Sequence, residues 1–579
     1  MLKTLKKVAS LLDNNQKKKT FTVQFLNVLA SLLEVLTLSV LAIFIASLSQ
    51  IKNLSENQYL NFFYNFFDFK SEYDYLFFLG LVILLLYIFT GLFNIFITWK
   101  TNLLASTISQ NFTNLVIKNY VYKNWNEFTK LKISNINKEV FTDLYIVSNS
   151  IVYPIFNLFN KIFIASSISL ILIIYNFKVA VSGIIIYSTI YFILFSVVKK
   201  ITTKTTQEIS ANRKKNHAFI HNFFSGFKEV VIFNLKNLYF EKIKRNNQEM
   251  ILPVSLLNSL SQIPRFFIEL VTYTAIITGI LLVINSGKNL ESLLPLIAIY
   301  AFAGLKLLPA FQQIYLAYVR IKSGQVALDN IYPKIQSARK IKELPYEKTN
   351  QRFKFNKNIT LKNIFFRYDS NSKKPSLKNI NLNIKKNSII GIAGPSGGGK
   401  STIVDIICGL LEPSKGQILV DGKKLSKNKL RLWQNNFGVV TQMPFLSGTK
   451  ISDNISFGNI KRNFDKKKII RIIKKVELSN FIKKQKKGIN SDISDRGVNI
   501  SGGERQRIAI ARSLYFDNDI IIFDEATNAL DKITENKIIN YIKRLKDTKT
   551  IIIITHRTST LKICDYIYLI KEGSITGSG

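Results

Sequence analysis

The residues with the clearest chemistry follow a short apolar run, Ile389, Ile390, Ile392 and Ala393, which reads as a buried strand. They are Gly394-Pro395-Ser396-Gly397-Gly398-Gly399-Lys400-Ser401, and a helical run from Thr402 to Ile407 comes next. This is G-x-x-x-x-G-K-S between a strand and a helix, the setting a phosphate-binding loop requires. Glycines at 394, 397 and 399 let backbone N–H groups turn inward around phosphate oxygens, and the helix start adds its dipole. Lys400 has the reach for the outer phosphates of a nucleoside triphosphate, and the Ser401 hydroxyl suits Mg2+. The bland alternative, a chance glycine-rich turn, does not explain the flanking strand and helix.

Further on, Ile520-Ile521-Ile522-Phe523 reads as a strand ending in two acids. Asp524 suits Mg2+ positioning, and Glu525 suits polarising an attacking water. Acids closing an apolar run are a weak motif alone and a strong one beside a phosphate loop. A later strand, Ile551 to Ile554, places His556 at its tip. That histidine has a structural reading, but near a triphosphate it can donate to the terminal phosphate.

Such residues need a rigid carrier, and the 579-residue chain has room for two or three domains. It is 47% hydrophobic and 20% charged, with long apolar runs before about Ser323 and a mixed pattern after about Lys340. The net charge of +43 is spread along the chain without a nucleic-acid module, so no nucleic-acid partner is expected. Cys408 and Cys564 are the only cysteines and lie far apart, which implies neither a disulfide framework nor a metal cluster. The basic first 19 residues do not read as a cleavable signal.

A bilayer core takes about 20 apolar residues in a helix. Six candidates fit, roughly 22–49, 75–98, 143–175, 177–198, 254–285 and 291–320. Lysines and arginines crowd the N-terminal tail and the long connections after the second and fourth runs. The first external connection balances Lys52 and Lys70 against Glu56, Asp68, Glu72 and Asp74, and the last pair of runs joins through Ser286-Gly287-Lys288. Positive connections stay inside, which puts both termini and the long loops in the cytoplasm. The aromatic segment 58–69 reads as an interfacial helix, with an aromatic belt as the alternative. Charged residues within the runs are few, and four stand out: Glu34, Arg265, Glu269 and Lys306. Each is costly against lipid, so they should face the bundle interior or a wet cavity. Arg265 and Glu269 share a helix face; they either pair with each other or form a polar spot for a charged headgroup.

From about residue 353 the chain resembles the nucleotide-binding domain of ABC transporters. The carrier of that resemblance is Ile500-Ser501-Gly502-Gly503-Glu504-Arg505-Gln506-Arg507, which differs from the usual signature by Ile for Leu and Glu for Gln. The resemblance implies ATP with Mg2+ as cofactors. It matches Tyr368 to the adenine-stacking aromatic and Gln442 to the glutamine that senses Mg2+ and the attacking water. It matches Asp495-Arg496-Gly497 to the segment touching the membrane domain, Asp531 to the loop crossing the dimer interface, and His556 to the switch histidine. The nucleotide-binding set is then Tyr368, Gly394, Ser396, Gly397, Gly399, Lys400, Ser401, Thr402, Ser501, Gly502, Gly503, Asp524 and Asp531. Glu525, His556 and Gln442 are catalytic, and Ser401, Gln442 and Asp524 hold the metal.

The family's head-to-tail closure of two such domains implies a homodimer, with a heterodimer of sibling subunits as the alternative. The implied architecture is an α-helical six-span transmembrane domain (1–330), a linker (331–352) and an α/β P-loop ATPase domain (353–579). Segments 125–128 and 217–225 would dock on the ATPase domains; His217 and His221 have metal-like spacing but lack a third ligand. Glu34, the external segment 58–69, Pro264-Arg265 with Glu269, and Lys306 with Pro309 resemble bacterial flippases for lipid-linked oligosaccharides. That makes Glu34, Arg265, Glu269 and Lys306 substrate candidates, and a bacterial-type inner membrane the expected location. Export of another lipid, a peptide or a drug is the runner-up, and an ATP-gated channel or regulatory membrane protein is the alternative of another class.

Overall fold

The computed structural model describes residues 1–49, 69, 71–260, 262–285, 294–341, 351–369, 374–457, 464–494 and 500–579. Most of the first external connection, the aromatic segment 58–69 apart from Phe69, the Ser286–Lys288 connection and Asp495–Gly497 lie outside them. The chain divides into two units, Met1–Lys123 with Lys130–Glu343, and Asn124–Thr129 with Leu344–Gly579.

The first unit is helical. It contains α1 (Leu2–Ser10), α2 (Asn14–Ser49) and α3 (Glu72–Val121). The short α4 (Trp125–Thr129) groups with the second unit, and residues 217–225 stay in the first. The chain is then helical from Ile133 to Tyr175, passes through π-helical turns at Lys138–Asp143 and Ser148–Val152, and finishes in α5 (Tyr153–Tyr175). After it come α6 (Phe177–Ser225), α7 (Lys236–Leu260), α8 (Ile263–Asn285) and α9 (Leu294–Lys340).

Local chemistry sets the ends. Ser71 caps α3 by accepting from the Asp74 N–H at 3.1 Å, and Glu72 and Asp74 complement the helix dipole. Asn176 alone separates α5 from α6: its backbone is extended, and its side chain accepts from the Val179 N–H at 3.3 Å. The fifth apolar run is not one helix. A turn at Gln262 interrupts it, and Pro264 has no N–H to give the Leu260 carbonyl four residues back.

Among the described residues, Asn14–Ile45, Glu72–Val121 and Ile133–Ile174 are long and apolar enough to cross a membrane, and Phe177–Ile186 is a shorter apolar stretch. Helix α3 exposes Phe77, Leu84, Leu85, Ile88, Phe89, Leu92 and Ile95, an outer surface suited to lipid rather than water. Inside, Ile108, Phe112, Ile151, Leu328 and Ile331 form one core, and Ile164, Ile168, Leu172 and Ala303 form another.

The second unit is built on two sheets. Strands β1 (Asn358–Phe366), β2 (Leu377–Lys385), β4 (Lys415–Val420) and β5 (Lys423–Lys424) make an antiparallel sheet in the order β2-β1-β4-β5. Strands β3 (Ile389–Ala393), β6 (Phe437–Val440), β7 (Ile520–Asp524), β8 (Thr550–Ile554), β9 (Tyr566–Lys571) and β10 (Ser574–Ser578) make the second, in the order β10-β9-β3-β8-β7-β6. From β9 to β6 its pairings are parallel. Strand β3 is buried throughout, as is β8, which is why both read as isoleucine runs rather than alternating patterns. Helices α10 (Lys400–Ile407), α11 (Gly502–Tyr515) and α12 (Lys532–Leu545) complete the elements that carry the site.

Trp433 anchors the packing between the sheets. It is fully buried, donates its indole N–H to the Ile407 carbonyl at 2.8 Å, and meets Phe353, Phe355 and Phe437 edge-on. Trp433→Ala is expected to destabilise the second unit by roughly 3–5 kcal/mol. Met443→Ala, at an 82% exposed position, should change stability by less than about 0.5 kcal/mol. Denaturant midpoints of the full chain compare the two.

Candidate functional site

The loop after β3 is shaped by glycine geometry. Gly394, Gly397 and Gly399 have φ of 148°, 76° and 106°. A Cβ at Gly394 would lie 2.0 Å from the Ile570 carbonyl oxygen, so a larger residue there would displace the loop from β9. Gly399 begins α10 with no side-chain cap, which leaves first-turn N–H groups for an anion. Lys400 folds back over the loop and donates from Nζ to the carbonyls of Gly394 (2.9 Å) and Pro395 (2.8 Å). Ser396 and Ser401 are exposed beside it. Thr402 is buried, with its hydroxyl 3.1 Å from that of Tyr368. The Tyr368 ring stands edge-on to Phe366 and leaves an open side. These residues form a cradle of phosphate-binding character.

The acids arrive from the adjacent strands. β7 and β8 run in register, with Asp524 beside Ile554. The chain leaves β7 through Glu525 in the left-handed region (φ 48°), and the Glu525 N–H donates to the Ile554 carbonyl at 2.9 Å. That turn aims the carboxylate at three partners. Gln442 donates to Oε2 at 2.8 Å, Asn528 donates to the same oxygen at 2.9 Å, and His556 Nδ1 lies 3.4 Å from Oε1. Gln442, Glu525 and His556, expected from separate segments, are thus brought together.

Asp524 is half-buried. Burial raises its carboxyl above the usual range, the nearby Glu525 and Asp405 raise it further, and Lys400 opposes them. A bound divalent cation suits this uncompensated negative charge. Among the described residues no cluster of three or more His, Cys, Asp or Glu has metal-ligand geometry. One acid with the Ser401 hydroxyl and the Gln442 amide is instead the sparse set suited to Mg2+ that keeps waters and substrate oxygens.

Ser501 caps α11 in a capping box: its hydroxyl accepts from the Glu504 N–H at 3.2 Å, and Glu504 takes the Ser501 N–H at 2.9 Å. Gly502 and Gly503 lie so close to Ala529 that Cβ atoms would meet it at 3.3 and 3.1 Å. Asp531 caps α12 through the Thr534 N–H at 2.9 Å, and that bond lowers its carboxyl below the usual range. Among the described residues, no hydrogen bond joins Ser501, Gly502, Gly503 or Asp531 to the cradle of the same chain. The sequence reading missed Asn528 and gave no role of its own to Gln506 of the signature, whose amide oxygen accepts the Ala529 N–H at 3.1 Å. Neither residue type stands out in a helical or turn segment.

In the first unit, Glu34 is buried and accepts from Asn94 at 2.9 Å, and Lys306 lies 5.3 Å from the Tyr87 ring centroid. Tyr87 and Asn94 sit two turns apart on one face of α3. Arg265 pairs with Glu269 at 2.7 Å, the first of the two arrangements expected. No ion pair among the described residues joins that pair to Glu34 or Lys306.

A phosphate cradle, an acid-ended parallel strand and a capped glycine pair, on a chain whose first unit is an apolar helical bundle, define an ATP-binding domain joined to a membrane domain. Comparison with known proteins agrees. The family model described as ABC transporter matches residues 377–528, and the one described as ABC transporter transmembrane region matches 20–303. The chain belongs to the ABC transporters, with a membrane region followed by a nucleotide-binding domain.

Relatives include the ABC transporter B family member 29 of Arabidopsis thaliana, 32% identical over 51% of this chain and 45% of its own length. The alpha-hemolysin translocation ATP-binding protein HlyB of Escherichia coli is 41% identical over 39% of this chain and 31% of its own length. The ATP-dependent lipid A-core flippase of Wigglesworthia glossinidia brevipalpis is 29% identical over 69% of this chain and 68% of its own length. The matched stretch spans about half or less of the first relatives' lengths. A bacterial Atm1-family ABC exporter solved with ATP bound shares the fold, with a TM-score of 0.76 over 98% of this chain and 96% of its own, at 20% identity.

The electrostatics of Asp524 generate a stability prediction. A carboxyl raised by the fold destabilises the protein when ionised, and the effect fades as pH falls through the raised value. Asp524→Asn should therefore raise the thermal midpoint of nucleotide-free protein by up to a few degrees at neutral pH, with the gain shrinking in acid. Thermal scans at several pH values test this; a lowered midpoint at neutral pH would contradict it.

Proposed function

We propose that the chain is the subunit of an ATP-driven exporter, and that its cargo is an amphiphile of the lipid-linked oligosaccharide or glycolipid class. The observation that carries the hydrolytic part is Glu525 held by Gln442, Asn528 and His556 beside the loop of Lys400. In this reading the loop N–H groups and Lys400 bind the phosphates, and Tyr368 stacks on the base. Glu525 takes the proton of the water attacking the terminal phosphorus as the bond to the leaving diphosphate breaks. Gln442 orients that water, and His556 donates to the terminal phosphate. Ser401, Gln442 and Asp524 would hold Mg2+, which supplies charge neutralisation when bound.

A second copy completes the site. Support comes from Ser501, Gly503 and Asp531, which among the described residues make no hydrogen bond to their own cradle, so a head-to-tail partner would present them across the nucleotide. Exposed Phe224, Phe227, Ile232 and Phe233 add an apolar surface for a partner to cover. A homodimer is the simplest assembly. The basic connections support cytoplasmic termini and an ATPase domain facing the cytoplasm of a bacterial-type inner membrane.

The cargo class rests on the membrane half. The lipid A-core flippase match runs over 408 residues, more than the second unit contains, whereas the hemolysin exporter match of 224 residues is short enough to lie within it. Arg265, Glu269, Lys306 and Glu34 are the proposed contacts for a charged headgroup, Arg265 through the guanidinium face not used by Glu269.

Glu525→Gln should slow phosphate release by at least about a hundredfold while nucleotide stays bound; sustained turnover would remove Glu525 from its role. In proteoliposomes, Arg265→Ala and Lys306→Ala should cut translocation of a pyrophosphate-linked glycolipid by about tenfold or more. Unchanged flipping in both variants would rule out the headgroup contacts.

A further inference from the structure

The first unit holds a polar cavity that none of the sequence candidates touches. Its volume is about 530 Å³. One wall is the helical path into α5, which contributes Asn149, Ser150, Tyr153 and Asn157. Asn258 of α7 forms a second wall, and Arg320 and Ser323 of α9 form a third. Ser150, Tyr153 and Asn157 fall on one helix face, as do Arg320 and Ser323. No carboxylate lines the space, and Arg320 is exposed to it, with no side-chain hydrogen bond or ion pair among the described residues.

Three local features build this space. Asn149 and Ser150 belong to the π-helical turn Ser148–Val152, which inserts a residue and re-aims the side chains that follow. Gly324 lets α9 press against that turn: a Cβ there would lie 2.7 Å from Ile151 and 3.1 Å from Ser150. The break after Leu260 frees a carbonyl, and the Tyr315 hydroxyl of α9 donates to it at 3.2 Å. That bond ties α7 to α9, so Asn258 and Arg320 close on the same space. Beside them Leu260, Tyr315, Tyr318 and Val319 form a buried apolar cluster. The third and fifth apolar runs begin here and the sixth ends here, which on the proposed orientation is the cytoplasmic end of all three.

A space of this size accepts a small molecule or headgroup. One unpaired guanidinium among amides and hydroxyls selects an anion with hydrogen-bonding neighbours, and a guanidinium matches phosphate or carboxylate bidentately. We propose that this cavity is a loading site for an anionic, hydroxyl-rich group, with Arg320 as its charge partner and Asn157, Asn258 and Ser323 as its hydrogen-bonding walls. The inference rests on the transport reading and places cargo entry at the cytoplasmic end, apart from Arg265 and Lys306.

The test is calorimetric binding to the full chain in detergent, without nucleotide, using dioctanoyl phosphatidic acid, dioctanoyl phosphatidylcholine and glucose 1-phosphate. Wild type should bind phosphatidic acid at least about tenfold more tightly than phosphatidylcholine, and Arg320→Gln should remove about that factor. Arg320→Lys should recover part of it, and Asn258→Leu should weaken it from another wall. Displacement of phosphatidic acid by glucose 1-phosphate assigns the site to soluble anions, and failure to displace assigns it to a lipid headgroup; both keep the site. Equal binding of the two lipids, equal binding by wild type and Arg320→Gln, or no binding of either anionic probe overturns it. ATP hydrolysis in the same wild-type preparation separates the two ideas. Hydrolysis with charge-blind binding removes this site alone, whereas absent hydrolysis removes the transport reading whatever the probes show.

Discussion

The parallel register of β3, β8 and β7 constrains everything in the second unit. Ile389 to Ile392 pair with Ile551 to Ile554, and Ile520 to Asp524 pair with Thr550 to Ile554. Three strands therefore stop at one edge, and each releases its functional segment there: the phosphate loop after Ala393, Glu525 after Asp524, His556 after Thr555. In open α/β sheets that carboxyl edge is where ligands sit. Gln442 joins them because β6 pairs with β7 in the same direction and ends two residues before it. A one-residue slip in any pairing would turn core isoleucines outward and move an acid off the edge. The buried isoleucines thus set catalytic geometry as well as stability.

That explains what could be read from the sequence. Ile389–Ala393, Ile520–Phe523 and Ile551–Ile554 are short apolar runs that end in reactive residues, and both facts are visible in one dimension. The left-handed turn at Glu525 is not, because glutamate has no preference for that conformation. It appears only when the Ile554 carbonyl is there to receive the Glu525 N–H. Asn528 escaped for the same reason: its partner is set by that turn. In the membrane half, hydropathy located the apolar runs but not the break after Leu260. Pro264 was legible as a boundary signal; the Tyr315 hydroxyl that satisfies the freed carbonyl is a long-range contact. Asn149, Ser150 and Asn157 are spaced as one helix face, but they line a space only where α7 and α9 close on them, a contact distant in the sequence.

Polar groups in the helical unit follow a common rule. Glu34 has Asn94, Arg265 has Glu269, and Lys306 has the face of Tyr87. Lower down, Lys138 pairs with Asp143, which also accepts from Asn330, while Glu139 receives Tyr120 and Lys334. Each of these charges thus has a local partner, which offsets the cost of desolvation where it is buried. Arg320 stands outside that group: it is exposed and faces a polar cavity. An unpaired cation in such a place is tolerable when water or a ligand supplies the missing acceptor.

The same reasoning links the nucleotide to motion. Asp524, Glu525 and Asp405 concentrate negative charge against the single opposing Lys400. The loop meanwhile holds Lys400 on its own carbonyls rather than on an acid. Neither group is fully compensated within one chain, so a bound nucleotide with its cation is stabilised by both. On the proposed reading, Ser501 and Asp531 of a second copy add to that binding only when the copies meet. Nucleotide would then bind the closed pair more tightly than the open one. The difference between those two affinities, and nothing else about the nucleotide, is what can be spent on moving the helices.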